Sequence, residues 1–175
     1  MKTDPRFPIG KFNKQASYSA AERTANLEVI RQTPAHLKAA LEGLSDSQLE
    51  TPYREGGWTL RQVAHHIPDS HMNAYIRCKL ALTENNPTIK PYDQEAWALL
   101  SDTKSVPLEV SVQLLSMLHL RWVALFESFT EADWQRTYNH PVGGLTTLEQ
   151  MLALYAWHGA HHVAHITTLR QNKGW

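Results

Sequence analysis

A single cysteine, Cys78, stands in 175 residues, so neither an intrachain disulfide nor a cysteine-based zinc finger can form. Excess charge of either sign is missing too. Seventeen Lys and Arg balance 17 Asp and Glu, which argues against a surface built for nucleic acid or an anionic membrane. The opening MKTDPRFPIGKF has no apolar stretch of signal-peptide length, and no later run reads as a bilayer span. The expected address is therefore the cytoplasm. Fixed-period repeats, low-complexity segments and two-residue alternation of any length are also lacking, which excludes solenoids and gives no sign of an extended sheet. A hydrophobic content of 42% is ample for one folded domain.

What is present is helical. Residues 1–19, with Pro5, Pro8 and Gly10, read as an extended lead-in, and residues 20–175 as a single all-α, four-helix-bundle domain. Leu27, Ile30, Leu37, Leu41 and Leu44 recur at helical spacing and predict a first helix over Ala20–Gly43, kinked at Pro34. Thr59 and Gln62 have capping-box spacing and open a second helix running to about Thr83. Gln94–Leu100 suits a short helical turn. A third helix is expected after Ser105, with Pro107 in its first turn and an apolar stripe of Leu108, Val112, Leu115, Trp122, Phe126 and Phe129. Thr146 and Glu149 offer a capping box for the fourth, which ends near Asn172.

Histidine is unusually plentiful. Of ten, seven fall in two clusters: His65, His66 and His71, then His158, His161, His162 and His165. Successive helical residues turn by about 100°, so His158, His162 and His165 share a face with Leu148, Met151, Tyr155 and Leu169 and should point inward. His161 projects to one side. On the second helix His66 heads a polar stripe of Gln62, Asp69, Ser70, Asn73 and Arg77, opposite an apolar side of Leu60, Ala64, Ile67, Ala74 and Cys78. If the two faces meet, three imidazoles converge beside a polar groove, and three protein donors leave a fourth metal position open, as catalytic sites do. Two imidazoles buried face to face each need a partner, and a metal ion supplies one to both. His65 and His71 are expected off this face, His36 and His119 as hydrogen-bonded core residues, and Cys78 as a buried small hydrophobe.

The segments FPIGKF, TPYREGGWTLRQVAHHIPDSHMNAYIR, KPYDQEAW and LYAWHGAHHVAHI resemble the YfiT-like branch of the DinB superfamily over nearly the whole chain. The resemblance implies a four-helix bundle, a homodimer, and one divalent ion, zinc or nickel, on His66, His158 and His162. His165 stands where wider relatives often have Gln, which suits a polar supporting role. Pro68, two residues past His66, departs from the family's pattern and could re-aim that ring.

The leading expectation is thus a metal-dependent enzyme acting on a small molecule. Its open metal position would activate water, giving a hydrolase, or a low-molecular-weight thiol, giving an S-transferase. Asn73 and Arg77, with Asp69 and His165 behind them, are candidates to hold an anionic group or support the ligands. The sequence shows no unmistakable general base. A metal-stabilised sensor or binding module, and a metal-free helical interaction protein, are the competing classes.

Overall fold

The computed structural model describes residues 4–175, so residues 1–3 of the expected lead-in lie outside the described residues. In chain order the elements are α1 (Ala20–Leu41), α2 (Asp46–Leu49), α3 (Leu60–Thr83), α4 (Gln94–Trp97), α5 (Ser101–Ser105), α6 (Leu108–Glu127), α7 (Glu131–Trp134), β1 (Thr137–His140), β2 (Gly144–Thr147) and α8 (Leu148–Lys173). The four long helices α1, α3, α6 and α8 make the bundle. Each of α1 and α3 packs on both α6 and α8. Consecutive long helices α1 and α3 are therefore not the principal neighbours, and the links between them cross the bundle.

Local chemistry explains the starts. Ser19 with Glu22 and Thr59 with Gln62 form capping boxes that satisfy the free N–H groups of α1 and α3. For α8 the box falls one residue later than the sequence suggests, on Thr147 and Gln150. The reason is tertiary. Residues 137–140 and 144–147 form an antiparallel ribbon in which Thr146 pairs with Tyr138, so Thr146 is spent on the strand. Each strand is four residues long, too short for alternation to show in the sequence. The third long helix likewise starts later, at Leu108 with Pro107 as its N-cap, and Ser101–Ser105 forms a separate turn before it. Pro34 and Pro68 are buried inside continuous helices.

α6 is apolar enough, over a long enough span, to meet the length and composition criterion for a membrane helix, unlike the reading of the sequence. Leu115, Trp122 and Phe126 nevertheless seat one side of it in the bundle, while Val110, Leu114, Met117 and Leu120 line the exposed side.

Two apolar clusters fill the interior. One gathers Ile30, Ala74, Trp122, Phe126, Leu148 and Leu152; the other gathers Leu37, Leu60, Val63, Leu115, Ile166 and Leu169. Between these clusters every long helix carries inward polar residues: Thr33 on α1, Ser70 and His71 on α3, His119 on α6, and His158, His162 and His165 on α8. The histidines thus form a layer across the middle of the bundle. Close approach holds the layer together, since a Cβ on Gly159 would meet Thr33 Cγ2 at 2.8 Å and His71 Cε1 at 3.4 Å. Residues 4–19 run along α8 as a strap: Gln150 Nε2 donates to the Gln15 carbonyl (3.0 Å), Lys14 Nζ to the Leu145 carbonyl (3.0 Å), and Phe12 lies on Trp157.

Candidate metal centre

α3 and α8 face each other across the polar layer and bring His66, His158 and His162 together. One ring nitrogen from each lies within 4.8 Å of the others. His66 Nε2 and His158 Nε2 are 3.3 Å apart. Two nitrogens each about 2.05 Å from a zinc ion, at a tetrahedral angle, are separated by about 3.3 Å. The residues present therefore fit a divalent ion. His66 is buried, while His158 and His162 keep part of their surface open to solvent. Burial holds His66 down to about 4, and burial together with the neighbouring imidazoles pushes His158 and His162 well below the ordinary histidine value. All three are neutral at pH 7, the form that donates to a metal.

The protons in this layer are fixed by a group that can only accept. The Ile30 carbonyl lies 2.7 Å from His119 Nδ1, so that nitrogen carries the proton. Burial holds His119 down to about 4, so its Nε2 is bare and accepts from His71 Nδ1–H at 2.8 Å. His71 is pushed well below its ordinary value by burial first, so its Nε2 is bare and accepts from His158 Nδ1–H at 3.2 Å. The chain ends in a lone pair on His158 Nε2, facing His66. A carbonyl on α1 thus sets the tautomer of a ring on α8 through two intervening histidines.

The sequence placed His71 off the site; it is fully buried and touches His158 directly. No local periodicity could have shown this, because the partner that gives His71 its role comes from α6. His119→Leu is expected to strand the Ile30 carbonyl and the His71 Nδ1–H, costing about 2–4 kcal/mol of stability. Zinc affinity should fall about 10- to 100-fold. Thermal melts and a competitive zinc titration check both, and unchanged zinc affinity would show that the chain does not orient His158.

The remaining expected residues are more scattered. His165 stacks on Tyr53 with ring centroids 4.0 Å apart, and its Nε2 donates toward the Arg6 carbonyl at 3.4 Å, so it engages the strap although its ring lies beside that of His162. Asn73 donates to the Asp69 carbonyl on its own helix (2.9 Å). Asp69 is half-buried, and burial, aided by Asp102, pushes its carboxyl up to about 6. Arg77 is buried, with Nη1 at 3.5 Å from Tyr155 Oη. His65 bonds Ser111 Oγ at 2.7 Å, and His161 stacks on Trp157, its ring centroid 5.2 Å from that of His162. His36 is exposed on α1, contrary to the expectation of a core residue. Cys78 is buried with its thiol pushed up to about 12, a packing residue as expected.

Three residues whose contacts with the cluster the sequence did not show are Trp58, Ser70 and Tyr155. Trp58 lies 4.7 Å from His66 and 6.5 Å from His162, ring to ring. It is presented by a tight turn in which Tyr53 N–H donates to the Trp58 carbonyl and Gly56 takes a left-handed φ of 64°. Ser70 Oγ sits 3.5 Å from His158 Nε2, and the Tyr155 ring is 5.6 Å from that of His158.

The family model of the DinB superfamily matches residues 30–166. YfiT of Bacillus subtilis, provisionally named a metal-dependent hydrolase, is 48% identical over 170 residues, covering 97% of this chain and 96% of the relative. The chain belongs to the DinB superfamily. A relative from Bacillus mycoides with the same provisional name is 51% identical over 172 residues, covering 98% of this chain and 99% of its own. The solved structure of YfiT, described as a probable metal-dependent hydrolase with an unusual four-helix bundle topology, superposes with a TM-score of 0.95 over 98% of both chains. The four-helix bundle TT2238 has a TM-score of 0.57 at 22% identity, over 83% of this chain and 98% of its own, and shares the fold alone. The four-helix bundle of these relatives is thus present in this chain.

Proposed function

We propose that this DinB-superfamily chain is a metal-dependent hydrolase that holds one divalent ion, zinc or nickel, on His66, His158 and His162. The observation that carries the reading is the convergence of three neutral imidazole nitrogens within 4.8 Å. A proton can bridge two such nitrogens but not three, whereas a cation serves all of them. The names of relatives about half identical along nearly their full length support the reaction class.

When bound, a divalent ion with a fourth position open polarises a carbonyl and lowers the pKa of water or a thiol placed there. The protein's own groups do the rest. Ile30, His119 and His71 hold the His158 ring with its lone pair outward. Trp58 packs on the His66 ring and lies beside that of His162. Asp69, three residues along α3 from His66, is half-buried and ionised above about pH 6.

A second reaction on the same site, S-transfer from a low-molecular-weight thiol, is favoured by the uncharged lining of Trp58, Ser70 and Tyr155, which suits a soft neutral sulfur. The row Val110, Leu114, Met117 and Leu120 on α6 supports a homodimer, whose second copy would cover it. Zinc-loaded protein assayed against ester and amide panels, with and without small thiols, tests the proposal. Turnover without thiol marks a hydrolase; turnover that requires thiol marks a transferase. Full metal loading with no turnover on any panel would leave a metal-stabilised binding module instead.

A further inference from the structure

Two arginines are buried in this bundle, and they are treated differently. Arg23, with 9% of its surface exposed, is met by Glu131 at 2.6 Å and Glu149 at 3.4 Å. Arg77, with 8% exposed, has no carboxylate salt bridge among the described residues. Among the described residues its one side-chain hydrogen bond is the long contact, 3.5 Å, to the neutral Tyr155 Oη. A guanidinium stays charged at any physiological pH, and a charge taken out of water without a counter-charge is costly. Arg23 shows that this fold supplies carboxylates where a buried arginine is structural.

Arg77 borders a cleft of about 460 Å³ along α3, walled on the other side by the segment that carries Lys90, Tyr92 and Trp97. Asn73 lines the same cleft, and with one amide N–H given to the Asp69 carbonyl it retains a second for a ligand. Lys90, exposed, adds a second positive charge; Asp93, also exposed, is the one carboxylate of the lining. Arg77 is linked to the histidines through its neighbours. Tyr155, which Arg77 touches, lies against His158, and Ser70, on the same helix as Arg77, is 3.5 Å from His158 Nε2. Seven residues of α-helix separate Ser70 from Arg77, roughly 10 Å of rise.

We propose that Arg77, with Asn73 and Lys90, forms an anion subsite beside the three histidines, and that the substrate carries a carboxylate or phosphate group roughly 10 Å from the bond that reacts. The reacting end rests on the metal-enzyme reading above. The subsite itself rests on Arg77. Both anions match the planar guanidinium fork, so the chemistry they share is a compact group with two or more charged oxygens.

The test follows the Trp97 indole N–H in ¹H–¹⁵N spectra at constant ionic strength, during titration with sodium succinate and, separately, inorganic phosphate. Protein is used both chelator-treated and zinc-loaded. Saturable millimolar binding is expected in both forms, about tenfold weaker in Arg77→Gln and about two- to threefold weaker in Lys90→Ala. Arg77→Lys, which keeps the charge but loses the fork, should bind severalfold more weakly and serves if Arg77→Gln does not fold. The tighter of the two anions assigns the group as carboxylate or phosphate. Absence of saturable binding by either anion would overturn the proposal, as would equal affinity in wild type and both Arg77 variants. Because the chelator-treated arm needs no metal, a protein that took up no zinc would overturn the metal reading while leaving this test intact.

Discussion

Replacing His162 by alanine is expected to erase the stabilisation that zinc gives the native protein. A ligand present at 1,000 times its dissociation constant adds about 4 kcal/mol to the stability of the state that binds it. For a chain of this length 1 kcal/mol moves the melting midpoint by about 2–4 °C, so excess zinc should raise the wild-type midpoint by about 10 °C. In His162→Ala only His66 and His158 remain of the three nitrogens that lie within 4.8 Å. Two imidazoles without a third give a site too weak to saturate, and the midpoint should move by less than about 2 °C. The comparison is made within each variant, with and without zinc, so the intrinsic cost of losing a half-buried side chain cancels. Turnover should vanish with the shift. A zinc-dependent rise as large as that of the wild type would remove His162 from the ligand set.

Acid is expected to unfold the chelator-treated protein at a pH above the ordinary carboxylate range. Burial holds His66, His119 and His165 near 4, against an ordinary value of 6.5. A base whose folded-state pKa is depressed favours the native state at high pH. Its contribution is complete above about 6.5 and is lost as pH falls through about 4. The change from 6.5 to about 4 corresponds to about 3 kcal/mol for each buried ring. Asp69 acts the other way: a carboxyl raised to about 6 favours the native state at low pH and loses that contribution as pH rises through 6. One half-buried carboxyl offsets part of three buried histidines and does not reverse them. The melting midpoint should therefore be flat above pH 7 and drop steeply from about 6.5 to 4, with a shallower drop in His119→Leu, where one of the titrating rings is gone. A midpoint that changed by no more than a few degrees between pH 7 and 4.5 would mean that these rings are solvated.

The part of this centre legible in the sequence is the part that obeys one helical period. His158 and His162 share a face of α8 because four residues make about one turn, and His66 heads the only polar stripe of α3, so their meeting needs nothing beyond two facing helices. His71 and His119 could not be read that way. Their roles depend on α6 lying against both α1 and α3, which lets His119 reach the Ile30 carbonyl and His71 together. His165 follows the periodicity of His158, yet the strap of residues 4–19 offers it the Arg6 carbonyl, a contact set by a segment that carries no periodic signal. The slip at the start of α8 has the same origin. Thr146 and Thr147 are each followed three residues later by a residue able to close a capping box, and the pairing of Thr146 with Tyr138 decides between them. Trp58 reaches His66 through a turn in which Gly56 takes a left-handed φ, and no helical period extends to that turn.

Metal content of the untagged protein, purified without a metal-affinity column and measured by elemental mass spectrometry, tests the central claim most directly. About one zinc or nickel per chain is predicted for the wild type, with only traces in His162→Ala. Protein that carried no divalent ion, and took up none on reconstitution, would contradict the account and leave the three histidines as a buried polar layer of the bundle.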